Sequence, residues 1–282
     1  MDRFCAATYR LASPDRIESQ MLISAYFDES SEGKAQAGIL AVAGYVFTAA
    51  RHRVFESRWG RMLAKYRLPY FHMSECNANS GEFARLTALE CDDCARSAIK
   101  IARENTLHGA AYVLKQEDYR LVLQDKGFAC DAYSCRLWSA LLHMAKWRDN
   151  NRPNNDLHLH FEQGYSTQAR AHELLQLVSQ DPRFKQDVRM TRHAFFNKDA
   201  SYQGQAADLL AWHVRKGYSN LAAEKAIRKD TLALIGGLSV KTIDFDRVQL
   251  TILRDQFVRH SSTLERASKI LFNPDGPYLA AE

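Results

Sequence analysis

The spacing of apolar and polar positions changes several times along the chain, and each change marks an element. Residues 21–28, MLISAYFD, form an apolar and aromatic run ending in Asp28, Glu29, Ser30 and Ser31, which predicts a strand opening into a loop with Gly33 in the turn. A second run, AGILAVAGYVF over 37–47, predicts the next strand, and the short polar connection makes the pair an antiparallel hairpin. A helix is expected over about 52–65. Pro69 then interrupts the chain ahead of YFHMSE, and a helical pattern covers 82–105.

Further on, LHGAAYVLK (107–115) reads as a third strand, and 131–148 as a long helix ending in the loop composition DNNRPNND. In LHLHFE (157–162) the alternation has period two, with Leu157, Leu159 and Phe161 on one face and His158, His160 and Glu162 on the other. This is the fourth strand. A helix over 167–179 stops before Pro182, a fifth strand covers 188–195, and an apolar helix covers 203–217. Helical patterns recur at about 247–258 and 263–271.

No internal repeat or linker divides the chain. The expected organisation is an N-terminal arm or misassigned start (1–20), one α/β domain (21–218) with a helical insertion at about 50–105, and a helical extension (219–282) packed on the same domain. Two strands, a helical insertion, a strand, and then alternating helices and strands describe a mixed five-stranded sheet flanked by helices.

Three acids stand out in that frame. Asp28 closes the first strand, Glu162 closes the fourth, and Asp208 sits inside the apolar helix QAADLLAWHV. Strand ends of a mixed sheet gather at one rim, where a packed helix can bring a third carboxylate. An unpaired carboxylate among Ala206, Ala207, Leu209 and Leu210 is costly to desolvate, so Asp208 needs a cation, whether Arg215, Lys216 or a metal, unless it faces water. The small residues Gly204 and Ala211 let the helix lie close to the sheet. Three carboxylates at one rim repel one another and favour an oxygen-loving divalent cation, Mg²⁺ or Mn²⁺. His72 is a candidate to orient water or a leaving oxygen, and Glu75 to add a fourth carboxylate; a structural role stands beside both. Asp199 and Glu29 are auxiliary candidates, Glu29 pointing away from Asp28 if the strand continues. His158 and His160 read as histidines packed under a helix, with an HxHxE zinc strand as the other reading.

Composition narrows the class. No stretch approaches the roughly 18 apolar residues of a membrane helix, and the 13 Gly and 6 Pro are too few for a collagenous or linker-rich chain. Membrane, fibrous and disordered classes are excluded. The first twenty residues lack the apolar run of a secretory signal, so a cytoplasmic location and reduced cysteines are expected. Cys91 and Cys94 form a lone CxxC, leaving helix-borne thiols or a zinc site as readings. The net charge of +5 is concentrated: residues 51–67 carry six cations against Glu56 alone. Arg58, Arg61 and Lys65 share one helical face near Trp59 and Tyr66, either a solvated face or a phosphate-tracking surface.

YFDES at the end of strand one, FHMSE after the helix, HFEQG at strand four and QAADLLAW on the late helix together resemble the bacterial family called domain of unknown function 3800, over about residues 22–215. The resemblance implies a ribonuclease H-like fold in which Asp28, Glu162 and Asp208 bind metal. On that basis the expected activity is a nuclease that hydrolyses phosphodiester bonds of DNA or RNA with two Mg²⁺ or Mn²⁺ ions, nucleic acid being held at Arg58, Arg61 and Lys65. Two other classes stay open: a nucleic-acid binding or assembly subunit without turnover, and a metal-dependent phosphohydrolase of small substrates. No membrane partner is expected, and a protein partner or homo-oligomer is left open.

Overall fold

A computed structural model gives an α/β architecture and describes residues 22–31, 38–126, 131–164, 168–180, 188–236 and 240–259. The expected arm, Gly33 and the helix anticipated at 263–271 lie outside those residues.

Strands β1 (Leu22–Ser31) and β2 (Ile39–Thr48) form the expected antiparallel hairpin, and β3 (His108–Lys115) pairs antiparallel with β2. β4 (Asp156–Glu162) runs parallel to β1, and β5 (Met190–Phe196) parallel to β4. A sixth strand, β6 (Val240–Phe245), lies parallel to β3 and completes the order β5-β4-β1-β2-β3-β6. This corrects two expectations, that of five strands and that of an all-helical segment after residue 218. VKTIDF is short and half-exposed, and Lys241 and Asp244 interrupt its apolar positions, so its period is weak. Its pairing partner, Gly109 opposite Val240, is far away in sequence.

The expected insertion is α1 (Ala49–Tyr66), α2 (Met73–Ala78), a 3₁₀ turn at Gly81–Arg85 and α3 (Ala88–Asn105). After β3 come α4 (Gln116–Val122), α5 (Ala132–Asn151), α6 (Gln168–Gln180), α7 (Tyr202–Ala222), α8 (Lys229–Ile235) and α9 (Arg247–Arg259). Side-chain oxygens start the longer helices: Thr87 and Glu90 form a capping box on α3, Asp131 accepts from Tyr133 and Ser134 N–H on α5, and Ser201 accepts from Gly204 N–H on α7.

The sheet separates two cores. On one face Ile23, Ala25, Phe27, Leu157, Leu159 and Phe161 pack with Leu137, Leu141 and Met144 of α5. On the other, Ala41, Ala43, Tyr45 and Phe47 pack with Phe55, Trp59, Leu209 and Leu210 of the insertion and α7. Period two along β1 and β4 therefore puts Asp28 and Glu162 on the α7 side of the sheet. Beneath them Phe27 and Phe161 stack with ring centres 5.7 Å apart, joining the two strands. Burying each such ring stabilises the fold by about 1.5–3 kcal/mol.

Candidate active site

β1 and β4 are in register with Phe27 opposite Phe161, so Asp28 and Glu162 are the next residues on adjacent strands. Asp28 does not end its strand as expected. β1 continues to Ser31 because β2 keeps pairing with it, whereas its pairing with β4 stops at Phe27. Asp28 thus sits where one neighbour ends, at the rim. α7 packs over β1 and β2 and brings Asp208 to the same point. Close approach at the start of α7 depends on Gly204, as expected, since a Cβ there would collide with the Phe196 ring of β5.

The group that gathers the acids is one that sequence reasoning missed. Lys198 Nζ, from the 3₁₀ turn Lys198–Ala200 between β5 and α7, lies 2.9 Å from Asp28 Oδ2, 3.1 Å from Glu162 Oε1 and 3.2 Å from Asp208 Oδ1. The Asp28 side chain is fully buried, that of Asp208 is 7% exposed and that of Glu162 24%, so the site opens on the Glu162 side. Asp28 Oδ1 accepts from Glu29 N–H at 2.7 Å, and Asp208 Oδ2 from Met73 N–H at 2.7 Å. No hydrogen-bond donor is aligned on Asp28 Oδ2.

One ammonium facing three ionised carboxylates leaves two formal negative charges uncompensated in a largely buried pocket. Burial, and then the neighbouring Glu162 and Asp208, accordingly push the Asp28 carboxyl well above the usual carboxylate range, against the lowering effect of Lys198. Burial works against the charge on Lys198, but the three carboxylates outweigh it and hold the ammonium above its ordinary value. Glu29 is pushed up to about 8, by burial first and then by Glu162.

The donor set contains oxygen alone, and the charge excess left around the single Lys198 ammonium suits a hard divalent cation. Asp28, Glu162 and Asp208 are the residues that would hold it. Among the described residues no group of three or more His, Cys, Asp or Glu has metal-holding spacing as it stands. The carboxylates keep 2.9–3.2 Å from the ammonium nitrogen, whereas Mg²⁺ draws oxygen ligands to about 2.0–2.1 Å.

His72 and Glu75 are placed by the insertion. His72 Nε2 is 3.4 Å from Asp208 Oδ1 and its Nδ1 3.4 Å from Glu75 Oε1. The Glu75 carboxylate also accepts from Tyr70 O–H at 3.3 Å and from Glu82 N–H at 3.2 Å, where it caps the 3₁₀ turn. Glu75 thus holds His72 and the 3₁₀ turn, and it reaches the three-carboxylate cluster through His72. Asp199 is exposed, and its backbone N–H bonds to Asn197 Oδ1. Arg215, a sequence candidate to pair with Asp208, instead donates to Ser30 Oγ at 2.8 Å.

A second missed residue is Gln205, fully buried one turn before Asp208. Its Oε1 accepts from Trp59 Nε1 at 2.8 Å and Phe71 N–H at 3.1 Å, while its Nε2 donates to the Lys198 and Asp199 carbonyls, both at 3.2 Å. One amide thus ties together α1, the approach to His72 and the turn carrying Lys198. Two polar residues three apart in the otherwise apolar stretch Gly204–Trp212 were the available signal; for Lys198 it was a lone cation two residues after strand five.

On α1, Arg58 is paired with Glu104 at 2.6 Å, Arg61 donates to its own helix at Ser57 O, and Lys65 Nζ lies 3.0 Å from the Tyr66 hydroxyl. Trp59 and Tyr66, the aromatic neighbours of that basic face, are both buried in the core. Arg58 and Arg61 instead line a shallow depression of about 340 Å³ with Ser97 and Lys100 of α3. His160 stacks on Tyr26 at 4.1 Å and neighbours His158, and burial pushes it down to about 3. Cys91 and Cys94 are buried thiols, and burial drives Cys94 up to about 12. No helix among the described residues is long and apolar enough to cross a membrane. In comparisons by sequence, no family model and no curated protein matches the chain.

Proposed function

We propose that the chain is a metal-dependent nuclease with a ribonuclease H-like core. The observation that carries this reading is the convergence of Asp28, Glu162 and Asp208, from two strands and a late helix, on one cationic point. The order β5-β4-β1-β2-β3, antiparallel through the first three strands and parallel at β4 and β5, supports the fold part, with β6 as an addition. The resemblance to domain of unknown function 3800 supports it on the motifs alone.

A bound Mg²⁺ or Mn²⁺ supplies activation of a water and stabilisation of the leaving oxygen. The chain's own residues set the conditions for this. Buried Asp28 and Asp208 fix the rear of the site through backbone N–H donors, Glu162 faces its open side, and His72 orients Asp208. Arg61 and Lys65, both exposed, and Lys100 offer cations to a phosphate backbone without reading bases.

The test is incubation of purified protein with labelled DNA and RNA panels in Mg²⁺ or Mn²⁺. Cleavage that needs the metal and disappears in Asp28→Asn is expected, because that change keeps the side-chain shape and removes the charge. Cleavage undiminished in Asp28→Asn overturns the assignment. A second reading, a nucleic-acid binding subunit without turnover, draws on the ammonium seated among the three acids, and binding without cleavage would favour it.

A further inference from the structure

The cation at the centre of the three carboxylates belongs to the chain itself. Lys198 Nζ is within 3.2 Å of an oxygen from each of Asp28, Glu162 and Asp208, and its side chain is only 14% exposed. The backbone beneath it is fixed. Gln205 Nε2 holds the Lys198 and Asp199 carbonyls, and Asn197 Oδ1 caps the turn. Only the unbranched lysine side chain needs to move for the nitrogen to leave, and the way out is the side on which Glu162 is exposed.

We propose that Lys198 is a resident counter-ion that competes with the divalent metal, so that its ammonium fills the seat in the metal-free protein and must swing out for the metal to enter. This rests on the metal reading of the carboxylates given above. Two cations cannot share a point about 3 Å from three carboxylates. A divalent ion in the seat offsets one more negative charge than the ammonium does, which favours exchange when metal is abundant. When metal is scarce, the ammonium keeps the acids from facing one another unscreened and so protects the fold. The apparent metal affinity is the intrinsic one reduced by the fraction of molecules whose seat is open.

The test compares Mn²⁺ binding by calorimetry, and melting temperature with and without Mn²⁺, in the parent and in Lys198→Met. The variant should melt lower without metal, because the acids lose their cation, and should gain more from Mn²⁺ than the parent does. If the lysine fills the seat in nine molecules of ten, removing it tightens Mn²⁺ binding by about tenfold. Equal or weaker Mn²⁺ binding in Lys198→Met overturns the competition while leaving the metal site in place. Absence of binding in both proteins overturns the metal reading together with it. Should the variant fail to fold, acetylation of the parent followed by mass spectrometry gives the answer: Lys198 should react faster with saturating Mg²⁺ than without it, relative to the other lysines. An unchanged ratio refutes the displacement.

Discussion

Gln205→Met removes four hydrogen bonds from the interior while nearly preserving side-chain volume, which makes it a sharp probe of how the site is held. In the parent, Oε1 satisfies Trp59 Nε1–H and Phe71 N–H, both buried, and Nε2 satisfies the Lys198 and Asp199 carbonyls, which are partly buried. A thioether cannot donate and accepts only weakly. The two carbonyls can turn to water, but the two buried donors are left unpaired. Each such donor costs about 1–3 kcal/mol, so the variant should lose about 2–6 kcal/mol. Domains are stable by only about 5–15 kcal/mol, so the loss is a large part of the whole. Urea unfolding followed by tryptophan fluorescence and far-ultraviolet circular dichroism reads it as a lower midpoint at unchanged slope. The Lys198 turn should loosen too, because its carbonyls lose their anchor. A midpoint shift worth under about 0.5 kcal/mol, the range of ordinary surface substitutions, would falsify the claim that Gln205 joins these elements.

Other outcomes follow from other parts of the molecule. Buried His213, bonded through Nδ1 to Thr231 Oγ1 at 2.9 Å, is pushed down to about 4, chiefly by burial. Its unfolded counterpart takes a proton near 6.5, so this contribution to stability is full above that pH and is lost as pH falls towards 4, up to about 3 kcal/mol in all. The difference in unfolding free energy between the parent and His213→Met should therefore change between pH 7.5 and 4.5; a pH-independent difference contradicts the buried neutral imidazole. Neutralising Arg58, Arg61 and Lys65 together should weaken nucleic-acid binding. With Arg58 engaged by Glu104, two free phosphate contacts should disappear, so the slope of log affinity against log salt should shrink by about 1.4–1.8. An unchanged slope makes this face a solvated one.

Much of the site is decided by local periodicity. Alternation along β1 and β4 puts Asp28 and Glu162 on the face opposite Ile23, Phe27, Leu159 and Phe161, because a strand has period two whatever surrounds it. An acid inside the apolar turn Ala206–Leu210 must either face water or find a cation, because desolvating an unpaired carboxylate costs too much. Both features depend only on neighbours within a few residues. Which cation Asp208 finds is a different matter: Arg215 and Lys216 are nearer on its own helix, yet Lys198 fills the role, because its turn hangs at the rim where β5 meets α7. Strand order made that choice, since it sets β5 beside β4 and therefore Lys198 beside Glu162. Glu75 came to cap the 3₁₀ turn in the same fashion, and β6 became a strand only through the open edge of β3. A repeat along the chain reports which way a side chain faces, whereas the partner it meets depends on segments brought together from far apart, and only the packed sheet settles that.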